Sequence, residues 1–595
     1  MSASRRAPRA GYLNTWAVSF AAALASLSGC SLAGFDSFEL PTCRADVDCD
    51  SLNRRTGTPL DACNRFVCSP STRKCERRSQ KVEVCDGVDN DCNGLIDENV
   101  IGITPATVVT LSGGGFARAG FTATSVGVAA LAIPSGGGTA LFSAVGVDGM
   151  PEPARSVRPV TAVSSGSNLP ATWPMWTPTL DRCSSERNTQ PIMCSIIDAA
   201  IAPGRTPSEW FMLAVDPLQC RFGRLRAGML DTSLMPANFD VRGPFVASNI
   251  VDGIDIADGP TQDNCTGRNR TARGAARPVL SLNRPNGYVG TLAAAALGAW
   301  LGAPQDRSVC GAPAPAEPVN VEALGFSTAY LQAVPTTTSR PIVATNAPMG
   351  VAIPAVLGQT RGGGAPAIVA LPSGGWVVGF ANAMGDVTLR TVAQFTPTGA
   401  FFSNEPAGTP RSTEPLVLGA PFTLGRAGSV GPADYVAIGI RSVSERSEVR
   451  LAVAWVEGCG APANEVYLAE LELNSGTFVE RRRTAVARGA IGAITPAVIG
   501  LDRGLIDRGH PQAQNGDVGG WLVTYVESGS LRGARVLGVD LSLIDSPPAI
   551  FVETGAQGPF LYSTDRAGAA VAWLDSRAMA ARSGAVCGTT RAPSM

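Results

Sequence analysis

"AVAWVE" at residues 452–457 and "AVAWLD" at residues 570–575 are two copies of one pattern: an apolar run rich in Val and Trp, closed by an acid. Such runs are too short for a globular helix and favour strand. A second pair repeats at longer range, "LAIPSGGGTALFSAV" at 131–145 against "VALPSGGWVVGFANA" at 369–383. Further anchors of the same kind are "WFMLAVD" from Trp210, "LAAAALGAW" ending at Trp300, and "GGWLVTYVES" from Gly519. The seven anchors stand roughly 50 to 80 residues apart, and turn clusters rich in Gly, Pro and Thr separate them. Repetition on this scale predicts an all-β domain, a six- or seven-bladed β-propeller with insertions, ahead of stacked β-sandwiches. Each blade would bury its anchor strand near a central channel, with the tryptophans packed between neighbouring sheets. The alanine-rich "TLAAAALGAW" reads equally as a short helix.

The chain before this domain is different in kind. Arg5, Arg6 and Arg9 precede the apolar run "WAVSFAAALASL", which has the length of a signal-peptide core and falls short of a membrane span. "LSGC" follows at 27–30 and resembles a bacterial lipobox, in which the cysteine is acylated and becomes the new N-terminus. That resemblance implies lipidation of Cys30, and Ser31 after it implies transit to the outer membrane, facing the periplasm or the cell surface. An ordinary secretory signal with an incidental cysteine is the competing reading. No later stretch has the length of a transmembrane helix.

Composition fits a folded, exported body. Hydrophobic residues make up 45% of the 595, and the formal net charge is −1. This length exceeds one compact domain and predicts a small module and a large one. The arginines are dispersed among carboxylates, which excludes a nucleic-acid stripe. Setting Cys30 aside from the 15 cysteines leaves an even number, suited to disulfides in an oxidising compartment. Seven cysteines lie between Cys43 and Cys92, so at least one must pair elsewhere or stay free. Zinc is the rival for this segment, but paired CxxC spacing and a nearby histidine are both missing. The segment from Cys43 resembles cysteine-rich stretches of secreted myxobacterial proteins. Cys183 and Cys194 are placed to close a local loop.

"EVCDGVDNDCNGLIDE" at 83–98 concentrates six acidic side chains in a chain that is only 16% charged. Counted from Asp89, oxygen-bearing residues fall at positions 1, 3, 5 and 9 of an EF-hand-like loop, with Gly94 at position 6. Alternate side chains of such a loop point inward. Asp89, Asp91 and Asn93 would converge, the Leu95 carbonyl would follow, and Asp97 would close the far side. Position 12 is Val100 rather than glutamate, so Glu98 or Asp86 would complete the shell. Oxygen donors suit calcium, whereas copper or zinc would seek imidazole or thiolate. Weak binding is expected, on the order of 10⁻⁴–10⁻³ M. A bond between Cys85 and Cys92 would restrain the loop. A solvated acidic loop without an ion is the plainer alternative.

These residues resemble the short metal-binding motif named after the MopE family, found in exported proteins of myxobacteria, and are similar also to thrombospondin type 3 calcium repeats. The resemblance implies a metal, sometimes copper, held by Asp89, Asp91, Asn93 and Asp97, with Asp86 and Glu98 in lesser roles. It covers sixteen residues, and Asn93 stands where the family usually has aspartate.

The resulting division is a signal peptide at 1–29, a linker at 30–42, a cysteine-rich module at 43–82, the metal motif at 83–100 and the propeller-like domain at 101–595. Catalysis is not expected. The sole histidine, His510, sits in the polar stretch "DRGHPQAQNGD" without a nucleophile elbow, and the glycine runs lack the lysine of a phosphate loop. A propeller glycosidase is the enzyme alternative, since "STDRAGAAVAW" at 563–573 is similar to a sialidase Asp-box with its glycine displaced by one position. The expected function is binding of a protein or glycan partner, and a purely structural envelope role is the third reading.

Overall fold

The computed structural model describes residues 41–55, 66–77, 83–85, 89–91, 95–110, 116–124, 127–134, 140–146, 158–160, 198–203, 209–217, 223–231, 276–283, 294–301, 318–328, 349–353, 355–360, 364–393, 411–428, 431–443, 448–458, 463–474, 476–501, 505, 518–564, 568–587 and 589. Cys30, Asp86, Cys92, Asn93, Gly94, Cys183, Cys194 and His510 lie outside these residues. The chain divides into two compact units, Met1–Gln80 and Lys81–Met595.

In the small unit, a 3-10 turn at Asp46–Cys49 runs into the helix Asp50–Arg55, and a hairpin pairs Phe66–Cys68 with Cys75–Arg77. Two disulfides, Cys43–Cys68 and Cys49–Cys75, join these pieces. The core consists of Cys43, Cys49, Cys75 and Leu52, with Phe66 and Cys68 against it. So small an apolar core needs covalent staples. Asn53, fully buried, receives the Phe66 N–H on Oδ1 at 2.7 Å and donates Nδ2 to the Phe66 carbonyl at 3.1 Å, holding helix to hairpin.

The large unit is all-β. Its described strands form seven sheets, numbered here in chain order by their first strands. Sheet 1 spans 116–160, sheet 2 spans 198–231, and sheet 3 spans 276–360 with Arg411–Pro415 added in parallel. Sheet 4 spans 367–424, sheet 5 spans 433–490, and sheet 6 spans 493–552. Sheet 7 takes three strands from 556–586 and its fourth, Ile103–Thr110, from the beginning of the unit. Sheets 1 and 4 to 7 have four strands, and sheet 2 has three among the described residues.

Five of the seven sequence anchors fall on the second strand of a sheet, whereas 131–145 runs from the second strand of sheet 1 into its third and 369–383 from the first strand of sheet 4 into its second. The run 451–456, within the strand Glu448–Glu457, shows why such a stretch is apolar throughout. Leu451, Val453 and Trp455 pack with residues of sheet 4, while Ala452, Ala454 and Val456 pack with residues of sheet 6. Alternation of period two therefore selects the neighbour rather than choosing between core and water. Trp376, Trp455, Trp521 and Trp573 occupy these second strands at 1% exposure or less. Each fills the space toward the preceding sheet.

First strands of successive sheets contact one another. Phe116–Ala123 contacts Asp198–Pro203, and the succession continues through Ala276–Asn283, Ala367–Ala370, Ala433–Val443, Ala493–Leu501 and Ala556–Thr564. The last of these also contacts Phe116–Ala123. Sheets 5 and 6 approach so closely that a Cβ on Gly439 would lie 2.8 Å from the Val498 carbonyl oxygen. The tryptophan-bearing second strands stand beside these first strands, because a strand apolar on both faces belongs where both faces are covered. The "TLAAAALGAW" stretch is strand, Ala294–Leu301, because pairing on both sides overrides alanine's helical preference.

Candidate metal centre

The acidic stretch belongs to the large unit and is held there at several points. Its organiser is Glu83, a buried carboxylate. Oε1 of Glu83 accepts the backbone N–H groups of Asn90 and Asp91, both at 2.6 Å, and Oε2 accepts that of Asp97 at 3.0 Å. One side chain therefore gathers the beginning, middle and end of the loop. Asp97 and Asn99 adopt positive φ of 53° and 58°, which turns the chain sharply at the loop's end. Aspartate and asparagine tolerate that conformation best among residues with a side chain.

The far side of the loop is fixed by residues remote in sequence. Arg535, on the strand Ser530–Leu537 of sheet 6, is fully buried. Its Nη1 donates to the Ile96 carbonyl at 2.8 Å and its Nη2 to the Asp97 carbonyl at 2.5 Å. The same guanidinium forks onto buried Asp545, with Nε to Oδ2 at 2.9 Å and Nη2 to Oδ1 at 2.8 Å. Asp545 Oδ1 also accepts the Asn99 N–H at 3.0 Å, and Asn99 Oδ1 accepts the Ser546 N–H at 3.1 Å. Ile96 N–H donates to the Leu505 carbonyl at 3.2 Å, and Leu95 packs on the core between sheets 6 and 7. The expected Cys85–Cys92 bond is corrected: Cys85 is bonded to Cys587 across 502 residues. This satisfies the odd cysteine count by pairing outside the cysteine-rich segment. Folding of the final strand brings Cys587 to Cys85, a juxtaposition that local spacing does not encode.

One carboxylate oxygen each from Glu83, Asp89 and Asp91 lies within 4.8 Å of the others. Two oxygens bound to the same calcium at 2.3–2.6 Å stand at most about 4.6–5.2 Å apart, so the trio has the right span for one ion. Oxygen donors of this kind fit a hard cation and offer nothing to a soft one. Burial pushes the Glu83 carboxyl above the usual carboxylate range; the N–H groups of Asp91 and Asn90 oppose the rise, and the charges on Asp91 and Asp89 add to it. Three carboxylates at this spacing repel one another, and a divalent cation relieves that repulsion.

Asp89 and Asp91 are thus brought together as the alternating pattern requires. Asp97 and Glu98 are buried and stand outside the trio; Asp97 contributes its backbone to Glu83 and Arg535. Glu83 was not among the expected ligands, because it precedes the EF-hand-like register by six residues. Its only sequence signal is membership in the acidic run.

The sequence matches no protein-family model and no curated protein. Solved structures with similarity include a variant of the Aleuria aurantia lectin in complex with alpha-methyl-L-fucoside, at 10% identity and TM-score 0.33, covering 74% of this chain and 97% of that one. A variant of the NanB sialidase from Streptococcus pneumoniae is similar at 7% identity and TM-score 0.30, covering 66% and 67%. The Cellvibrio cellulosa alpha-L-arabinanase complexed with arabinohexaose is similar at 10% identity and TM-score 0.25, covering 60% and 95%.

Proposed function

We propose that this chain is an exported lipoprotein, anchored in the outer membrane through Cys30, that holds a calcium ion in its acidic loop and presents a seven-bladed β-propeller as a non-catalytic binding platform for a protein or glycan. The observation that carries the metal reading is the convergence of Glu83, Asp89 and Asp91 on a loop pinned to sheet 6. Pinning matters because the ion then meets donors already gathered, with less ordering left to oppose binding. Glu83, Asp89 and Asp91 would hold the calcium, which when bound would supply charge neutralisation and cross-linking, and Glu83 also orients the loop backbone.

The propeller reading is supported by the succession of first-strand contacts that returns from sheet 7 to sheet 1, and by the strand Ile103–Thr110 completing sheet 7. A ring of sheets in which the first and last elements share one sheet buries every sheet face except the outer edges. Copper fits the donors less well than calcium.

Isothermal titration calorimetry of the purified chain with calcium tests the metal reading. One site per chain with a dissociation constant on the order of 10⁻⁴–10⁻³ M is expected, and its loss in Asp89→Asn/Asp91→Asn. Absence of saturable heat, or an equal signal in the double variant, refutes it.

A further inference from the structure

The Cys85–Cys587 disulfide ties the start of the large unit to its end. Immediately beside it, the Gly102 N–H donates to the Cys587 sulfur at 3.1 Å, and the Cys587 N–H donates to the Gly102 carbonyl at 3.0 Å. The next residue begins Ile103–Thr110, the fourth strand of sheet 7, paired with Ala580–Val586. Noncovalent retention of this strand is modest. It fully buries only Val108 and Val109, exposes Thr104, Thr107 and Thr110, contains Pro105 without an N–H to donate, and has an irregular register at Thr107. The covalent link stands next to its least buried end.

Accessibility separates this disulfide from the others. Cys49 and Cys75 are fully buried, and in the Cys43–Cys68 bond Cys68 is half-buried but Cys43 is 4% exposed, so each small-unit bond is shielded on at least one side. Cys85 and Cys587 are both half-buried, and Val84 beside them is 59% exposed. Thiol–disulfide exchange requires in-line access of a thiolate to a sulfur.

We propose that Cys85–Cys587 is a redox-sensitive latch on the seam of the large unit, opened by dithiols ahead of the small-unit disulfides and releasing Ile103–Thr110 from sheet 7. A dithiol thiolate attacks one latch sulfur, forming a mixed disulfide and expelling the other cysteine as thiolate. The second thiolate of the dithiol then attacks the dithiol's own sulfur in that mixed disulfide and expels the remaining cysteine as thiolate. The protein gains two thiols and two electrons, and the dithiol leaves as a cyclic disulfide with its electrons lost. A disulfide typically shifts the equilibrium it constrains by roughly 30- to 1,000-fold.

Hydrogen–deuterium exchange on the full chain in chelator, with and without dithiothreitol, tests the latch together with disulfide mapping under limited reduction. The expected result is first opening of Cys85–Cys587, with exchange of 103–110 accelerated within that range while Gly520–Glu527 stays protected. Cys85→Ser/Cys587→Ser should exchange like the reduced chain without any reductant. Should this variant fail to fold, the reduced wild-type chain still decides. Exchange of 103–110 unchanged after the latch has opened, or small-unit disulfides opening first, overturns the proposal. Chelator keeps this outcome separate from any loss of metal binding.

Discussion

Replacing Arg535 with leucine probes how the acidic loop is held. The substitution removes one guanidinium that makes a two-point bridge to Asp545 and donates to the carbonyls of Ile96 and Asp97. Both partners of the ion pair are fully buried, with side chains at 0% exposure. Removing one member of such a pair leaves a buried charge without its partner and costs about 3–5 kcal/mol. The two abandoned carbonyls and the weakened Asn99–Asp545 contact belong to the same network, so their losses are part of this figure rather than additions to it. Arg535→Lys keeps the charge and loses the fork, and its cost should be smaller, about 1.5–3 kcal/mol for the lost charged hydrogen bonds. Arg535→Leu/Asp545→Leu should recover most of the loss, since a matched apolar pair carries no stranded charge. Urea unfolding of these four proteins and of Asp545→Leu, followed by tryptophan fluorescence, gives the coupling energy. A single Arg535→Leu variant within about 1 kcal/mol of wild type, or a double variant no better than the single, would refute the reasoning.

Three further outcomes follow from the same geometry. Trp573→Ala should destabilise the large unit by about 3–5 kcal/mol, because a tryptophan buried between sheets 6 and 7 leaves a cavity that rigid neighbours cannot fill; calorimetric melting checks it. Calcium at tenfold its dissociation constant should stabilise the folded chain by about 1.4 kcal/mol, and a chelator should reverse the gain in melting temperature. In the small unit, backbone N–H groups of Arg44 and then Ala45 hold the Asp48 carboxyl below its ordinary value. The unfolded chain then takes up that proton at higher pH than the folded one, so the contribution is complete above about pH 4 and is lost as pH falls through the folded value; Asp48→Asn should remove this acid dependence in circular dichroism titrations.

Legibility in the sequence followed the number of covered faces. The anchors were readable because second strands are apolar on both sides, and a tryptophan at 0–1% exposure leaves a strong mark. Outer strands were not. Thr477–Ala490 carries "ERRRT" on an edge where charge is tolerated, and the strand is legible only once its pairing with Asn464–Asn474 is seen. At the acidic loop, Asp89 and Asp91 declared themselves through alternate spacing. Arg535 and Cys587, which fix the same loop, stand 439 and 502 residues from their partners, and no local pattern encodes such contacts. Glu83 lay inside the acidic run but outside the register that spacing alone selects.

The most direct measurement is a crystal structure of the chain soaked in terbium, a hard cation that replaces calcium and scatters anomalously. The account predicts one anomalous peak in bonding contact with carboxylate oxygens of Glu83, Asp89 and Asp91. Density at another place, or none at that loop while the protein remains folded, would contradict it.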